Sequence, residues 1–199
     1  MLEAKNISFA YSGGRVLYDG LSLHVEAGER LALCAPSGFG KTTLCRILAG
    51  YLKPAAGSVL VGGSPLPLRG MCPVQLIGQH PENMVDPRQT MDAMLAEAGD
   101  VPSELISGLG IRPEWRCRHA HELSGGELQR FCIARALACA PRYRVADEST
   151  AMFDAVTKAR VWRFLVKWCE ENGAGLVFVS HSPELIDYVA TRTVMLGGR

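Results

Sequence analysis

The sequence predicts an α/β fold built on a mostly parallel sheet. Arg30–Ala35 is a short apolar run without polar alternation, as a strand buried on both faces is, and Val74–Ile77, Tyr143–Ala146 and Leu176–Val179 read as further strands. Segments with helical periodicity lie between and after them, so strands and helices take turns along the chain.

A length of 199 residues suits one domain with a small inserted subdomain. Hydrophobic residues make up 48% and charged residues 21%, which supplies a core and excludes a disordered chain. Lys plus Arg number 21 against 20 for Asp plus Glu. That balance gives no general pull toward nucleic acid or anionic membrane, and no nucleic-acid partner is expected. No apolar run approaches the ~20 residues of a membrane helix. The first residues lack a basic stretch followed by an apolar one, so no signal peptide is expected. The seven cysteines are odd in number, form no C-x-x-C pair and often sit in apolar stretches, which reads as buried reduced thiols. Cys117, His119 and His121 crowd together, but no second cluster partners them, and a structural zinc is not expected.

Taken in order, Ile7 and Phe9, then Leu21, Leu23 and Val25, alternate as strand residues, with turns at Ser12-Gly13-Gly14 and Asp19-Gly20. Lys41–Ala49 reads as a helix closed by Gly50. Gly57–Val61 adds a strand. Residues 82–122 carry helical periods broken by Pro87, Pro102 and Pro113, as a helical insert would. Gly126–Ala138 is a helix that stops before Pro141. Thr157–Glu170 is a helix whose Trp162, Leu165, Val166 and Cys169 share one face, read as core packing on a sheet. Pro183–Val189 gives another helix and Thr193–Leu196 the last strand.

The chemistry concentrates in three places. Ala35-Pro36-Ser37-Gly38-Phe39-Gly40-Lys41-Thr42-Thr43 follows a buried strand and opens a helix, the context of a phosphate-binding P-loop. Its glycines let backbone N–H groups turn inward, and the helix start adds positive potential. Lys41 would reach β- and γ-phosphates, and the Thr42 hydroxyl would ligate Mg²⁺. The strict pattern begins with Gly, and Ala35, the smallest replacement, stands there. The strand at Tyr143 ends in Asp147 and Glu148, at the sheet edge where α/β ligands bind. Asp147 suits a Mg²⁺ shell and Glu148 suits polarising an attacking water. The third place, Leu123-Ser124-Gly125-Gly126-Glu127-Leu128-Gln129-Arg130, is a second helix start able to receive an anion.

That third segment closely resembles the signature motif of ATP-binding cassette (ABC) ATPases. The resemblance runs through the whole chain. It implies that Gln79 is the Q-loop glutamine sensing Mg²⁺ and water, and His181 the switch histidine that contacts the γ-phosphate. It likewise implies that Asp154 is the D-loop aspartate at a dimer interface, and Tyr11 the A-loop aromatic that stacks on adenine. The implied fold is a RecA-like P-loop NTPase core over 1–81 and 131–199, with an N-terminal antiparallel β subdomain and a helical subdomain at about 82–130. ATP and Mg²⁺ are the implied cofactors. Ser124, Gly125 and Gly126 would close over the ATP of a second ABC ATPase subunit, identical or paralogous.

Val85-Asp86-Pro87-Arg88-Gln89-Thr90, and Ala146–Ala155 followed by Arg160-Val161-Trp162, resemble the oligopeptide, dipeptide and nickel importer ATPases. This branch implies ATP hydrolysis that energises solute uptake at the cytoplasmic face of the cell membrane. Its partners would be permease subunits and, indirectly, a solute-binding protein. The alternatives are a soluble ABC ATPase of DNA repair or translation, and a non-hydrolytic nucleotide-binding subunit. The first usually brings long coiled coils or two cassettes, which this chain lacks; Asp147, Glu148 and His181 tell against the second. Three features depart from the pattern. Ser149 replaces the commoner Pro. Arg199 follows the last strand directly where this branch usually carries an extension, which tells against a regulatory role housed there. Arg144 occupies an apolar strand position, where it must snorkel, find an acidic partner or lie on an exposed face.

Overall fold

Residues 1–36 and 38–197 are described by the computed structural model; Ser37 of the P-loop lies outside the described residues, as do Gly198 and Arg199. The first half of the chain runs β1 (Leu2–Ala10), β2 (Val16–Val25), β3 (Arg30–Cys34), α1 (Lys41–Leu48), β4 (Ala56–Val61), β5 (Ser64–Pro65) and β6 (Val74–Ile77). The second half runs α2 (Met91–Ala96), α3 (Ser103–Gly108), α4 (Gly125–Ala138), β7 (Tyr143–Asp147), α5 (Ala155–Glu171), β8 (Gly175–Val179), α6 (Pro183–Val189) and β9 (Arg192–Met195). Two sheets result. One is antiparallel in the order β2-β1-β4-β5, and the other is parallel in the order β6-β7-β8-β3-β9.

The inner strands β3, β7 and β8 are mostly apolar because both of their faces are covered, whereas β9 at the sheet edge is only partly buried. Leu31, Leu33, Val145, Val177 and Val179 face a core shared with α1 and the antiparallel sheet. Ala32, Ala146, Leu176 and Phe178 face a second core built with α2 to α6. The strand period of two therefore sorts side chains between two cores rather than between core and water. Trp162 is fully buried in the second core, its ring 5.2 Å from Phe178, so the aromatic face of α5 is packing.

Several expectations needed correction. Asp19-Gly20 is not a turn. β2 runs through it, and Gly20, at φ +70°, takes up a register slip between the pairs Ile7↔Leu21 and Phe9↔Tyr18. α4 and α5 begin earlier than the periodicity suggests, because Ser124 and Asp154 cap them and the residues directly after the caps are already helical. Arg144 takes none of its three expected routes. It is fully buried on the α5 side of β7, its guanidinium nitrogens have no hydrogen-bond partner among the described residues, and it stacks 3.7 Å above the Trp168 ring. Among the described residues no helix is long and apolar enough to cross a membrane.

Candidate functional site

Strands β3, β6, β7 and β8 are parallel neighbours, so the loops leaving them converge on one carboxyl edge. The P-loop leaves β3, Gln79 follows β6, Asp147 and Glu148 end β7, and His181 follows β8. Sheet topology thus gathers residues spread over more than half the chain.

In the P-loop, Gly38 and Gly40 both have positive φ, at 76° and 86°. Lys41 is 8% exposed, and its ammonium donates to the carbonyls of Ala35 at 2.8 Å and Pro36 at 3.2 Å. The ammonium is thus folded back on its own loop, bonded to uncharged carbonyl acceptors that anionic phosphate oxygens could outcompete. Phe39 is half-buried, Thr42 is exposed and Thr43 is buried. The Tyr11 hydroxyl lies 3.1 Å from the Thr43 hydroxyl, while the Tyr11 ring remains half-exposed and edge-on to Phe9.

Asp147 is 3% exposed, and its Oδ1 is buried with no partner among the described residues. Burial pushes its carboxyl up, and the Glu148 charge adds to this; the Thr42 hydroxyl beside it pulls the other way. A buried orphan carboxylate oxygen next to a threonine hydroxyl is the hard-oxygen set that Mg²⁺ favours, so these residues fit that ion. Glu148 sits at φ +45°. One of its oxygens accepts from the Gln79 side-chain amide at 3.1 Å, and the other lies 2.9 Å from His181 Nε2. Gln79, Glu148 and His181 therefore form one connected triad. A cavity of about 330 Å³ opens beside Glu148 and His181, with Lys158, Ser180 and Ser182 on its walls.

The Ser124 segment is elsewhere. Ser124 caps α4 in a reciprocal box: its hydroxyl accepts from Glu127 N–H at 3.3 Å, and the Glu127 carboxylate accepts from Ser124 N–H at 2.8 Å. That second bond holds the Glu127 carboxyl below its ordinary range. Gly126 lies against Phe153, where an added Cβ would come 3.2 Å from the ring. Ser124, Gly125 and Gly126 share a cavity of about 410 Å³ with Arg112, Arg130 and Asp154, and no described P-loop residue lines it. The Asp154 carboxylate accepts from Val156 and Thr157 N–H groups, both at 3.0 Å, which fixes the start of α5 and lowers its pKa.

Supporting residues escaped the sequence reading. Gln129 is fully buried and donates to the Gly78 carbonyl at 3.1 Å, tying α4 to the residue between β6 and Gln79. Trp162 Nε1 donates to the Thr150 hydroxyl at 2.9 Å, anchoring the turn after Glu148. Tyr18 donates to the P-loop carbonyl of Gly40 at 2.6 Å.

Fold and loop together define a P-loop α/β protein. A sequence profile of the family described as ABC transporter matches residues 18–151, about two thirds of the chain. The chain belongs to this family. It is 34% identical to the nickel import ATP-binding protein NikE of Pseudomonas putida, across all of this chain and 83% of that one. It is 31% identical to a probable peptide ABC transporter ATP-binding protein of Sinorhizobium fredii, over 88% of this chain and 55% of the relative, and so spans about half that relative's length. A bacterial ABC transporter cassette solved as a dimer superposes with a TM-score of 0.84 at 23% identity, over 98% of this chain and 94% of that one. This last likeness establishes the RecA-like ABC cassette fold.

Proposed function

We propose that the chain is an ATP-binding and ATP-hydrolysing subunit of an importer, energising uptake of a peptide, nickel or similar small solute. The observation that carries this is the meeting, at one sheet edge, of Lys41, Thr42, the orphan Asp147 oxygen and the held Glu148 carboxylate. Lys41 would leave its loop carbonyls for the β- and γ-phosphates. Tyr11 would offer its exposed ring face to the base. Thr42, Asp147 and Gln79 would hold Mg²⁺, which neutralises phosphate charge when bound. Glu148, fixed by Gln79 and His181, orients a water for in-line attack and takes its proton, while His181 donates to the transferring group. Little covalent chemistry is asked of the protein; positioning and charge suffice.

Two ATPase subunits would close head to tail, with Ser124, Gly125, Gly126 and the Asp154 turn of one over the P-loop of the other. In support, the Ser124 cavity holds none of the described P-loop residues. Permease subunits would dock at the cytoplasmic membrane face. A groove of about 780 Å³ supports that docking; it lies between the end of α1, β4 and the segment before β6, with Tyr51, Leu68 and Met71 exposed along it. The helical segment at about 82–130 would carry motion from Gln79 to that partner.

The test is Glu148→Gln. It should bind ATP as the wild type does, hydrolyse it at least ~100-fold more slowly, and elute as a dimer with MgATP. Wild-type turnover would remove Glu148 from the proposed role. A hydrolysis-dead variant that stays monomeric would count against the closed dimer.

A further inference from the structure

We propose that Tyr18 is a positioning residue for the phosphate cradle: by holding the Gly40 carbonyl, its hydroxyl aims the Lys41 backbone N–H into the P-loop. The proposal rests on the P-loop reading above and adds a residue from the antiparallel sheet.

Tyr18 belongs to β2, yet its side chain crosses to the parallel core, where it is 4% exposed. The hydroxyl donates to the Gly40 carbonyl at 2.6 Å and lies 3.5 Å from the Phe39 carbonyl. The same Gly40 oxygen accepts the Leu44 N–H at 2.9 Å, the first hydrogen bond of α1. Two donors occupy both lone pairs of that oxygen. A trans peptide is planar, with C=O and N–H pointing opposite ways. Pinning the Gly40 carbonyl therefore fixes the direction of the Lys41 N–H. This N–H belongs to the first turn of α1, whose donors have no partner within the helix, and so can serve a phosphate oxygen.

The local structure is built for this contact. Gly40 has φ +86°, and a Cβ there would lie 2.8 Å from the Tyr18 oxygen and 3.2 Å from Leu17. Both the backbone conformation and the approach of Tyr18 require glycine. α1 is capped by Gly40, which has no side chain to cap it, and among the described residues the Tyr18 phenol is the side chain that braces this peptide. Burial, reinforced by the nearby Cys45 and Tyr11 groups, pushes the Tyr18 hydroxyl far above its ordinary value, so it remains a donor at any physiological pH. Without the hydroxyl, a glycine-flanked peptide would keep its helix bond alone and could rock. The cradle would then have to be ordered by the nucleotide at a cost in affinity.

The experiment is Tyr18→Phe in the full chain, read by titration with ADP and with a non-hydrolysable ATP analogue, and by steady-state ATPase. Loss of one net hydrogen bond should raise Kd for both nucleotides about five- to tenfold. KM should rise in step, with kcat at saturation within about twofold of wild type. Kd belongs to the folded molecules alone, so a lower folded fraction cannot mimic this. Unchanged Kd in the variant would overturn the proposal, and so would a fall in kcat at unchanged KM, the mark of a merely structural role. If the wild-type chain bound neither nucleotide, the P-loop reading itself would fall and this proposal with it.

Discussion

His181 Nε2 lies 2.9 Å from one oxygen of Glu148. Gln79 occupies the other oxygen at 3.1 Å, so the carboxylate is held from two sides by residues leaving two different strands. Glu148 also takes a backbone conformation, φ +45°, that costs a non-glycine residue roughly 1–3 kcal/mol. The buried strand before it and the Trp162 to Thr150 hydrogen bond after it keep that strained position in place. An acid fixed this way needs little rearrangement when it is used, which is the preorganisation that charge-stabilising sites rely on.

Gln79→Ala releases one side of that grip. A hydrogen bond to a charged group is worth about 1.5–3 kcal/mol, so kcat should fall by roughly ten- to a hundredfold. KM for ATP should stay within about twofold if the loss falls on the transition state alone. Steady-state ATPase measurements at saturating MgATP decide this; an unchanged kcat would mean that His181 alone positions Glu148.

Arg144→Met addresses the buried charge. Stacking on Trp168 recovers about 2 kcal/mol when desolvated. The desolvation of an unpaired buried ion costs several kcal/mol, and burial pushes the Arg144 pKa down to about 10. Methionine should therefore stabilise the fold by about 1–4 kcal/mol at pH 7. The pH dependence follows from the sign. The folded pKa lies below the unfolded one, so the charge penalty is complete below pH of about 10 and is relieved as pH rises above it. Urea midpoints of wild type and variant should thus converge above pH of about 10. A variant less stable than wild type at pH 7 would show that the cation contributes more than it costs.

The contrast between Arg144 and the P-loop shows what the sequence made legible. Ala35 to Thr43 is readable because the chemistry dictates local backbone geometry: glycines where the chain turns inward, then Lys and Thr at the helix start. The same holds for Ser124, Gly125 and Gly126, and for the acids that end β7. Strands β3 and β8 were legible as short apolar runs because both faces are covered. The hydrogen bonds of Tyr18, Gln129 and Trp162 were not legible. Their partners lie 22, 51 and 12 residues away, and only the packing of the sheets brings them together. No period or spacing marks such contacts. Arg144 was flagged by its position, but its stacking partner sits on a different element and carries no sequence mark. Asp19-Gly20 was misread because the same residue pair serves a turn and a strand bulge.

Ser124→Arg tests whether the α4 start serves a second subunit. Ser124 caps that helix together with Glu127, and losing the cap costs about 1 kcal/mol of local stability. The cavity it lines contains Asp154, Arg112 and Arg130 but no described residue of its own P-loop. An arginine there should leave ATP binding to the monomer almost unchanged and block closure by its bulk. Mixing this variant with Lys41→Ala then sorts the lesions. In a head-to-tail pair, one composite site combines the intact P-loop of the Ser124 variant with the intact α4 start of the Lys41 variant. The other site carries both lesions. At most half of the wild-type ATPase activity should return, and only if the two sites fire independently. Equilibrium ATP affinity of the Ser124 variant alone, at protein concentrations too low for dimerisation, is the deciding measurement. A collapse of affinity there would show that Ser124 serves the nucleotide of its own subunit, and the head-to-tail arrangement would have to be abandoned.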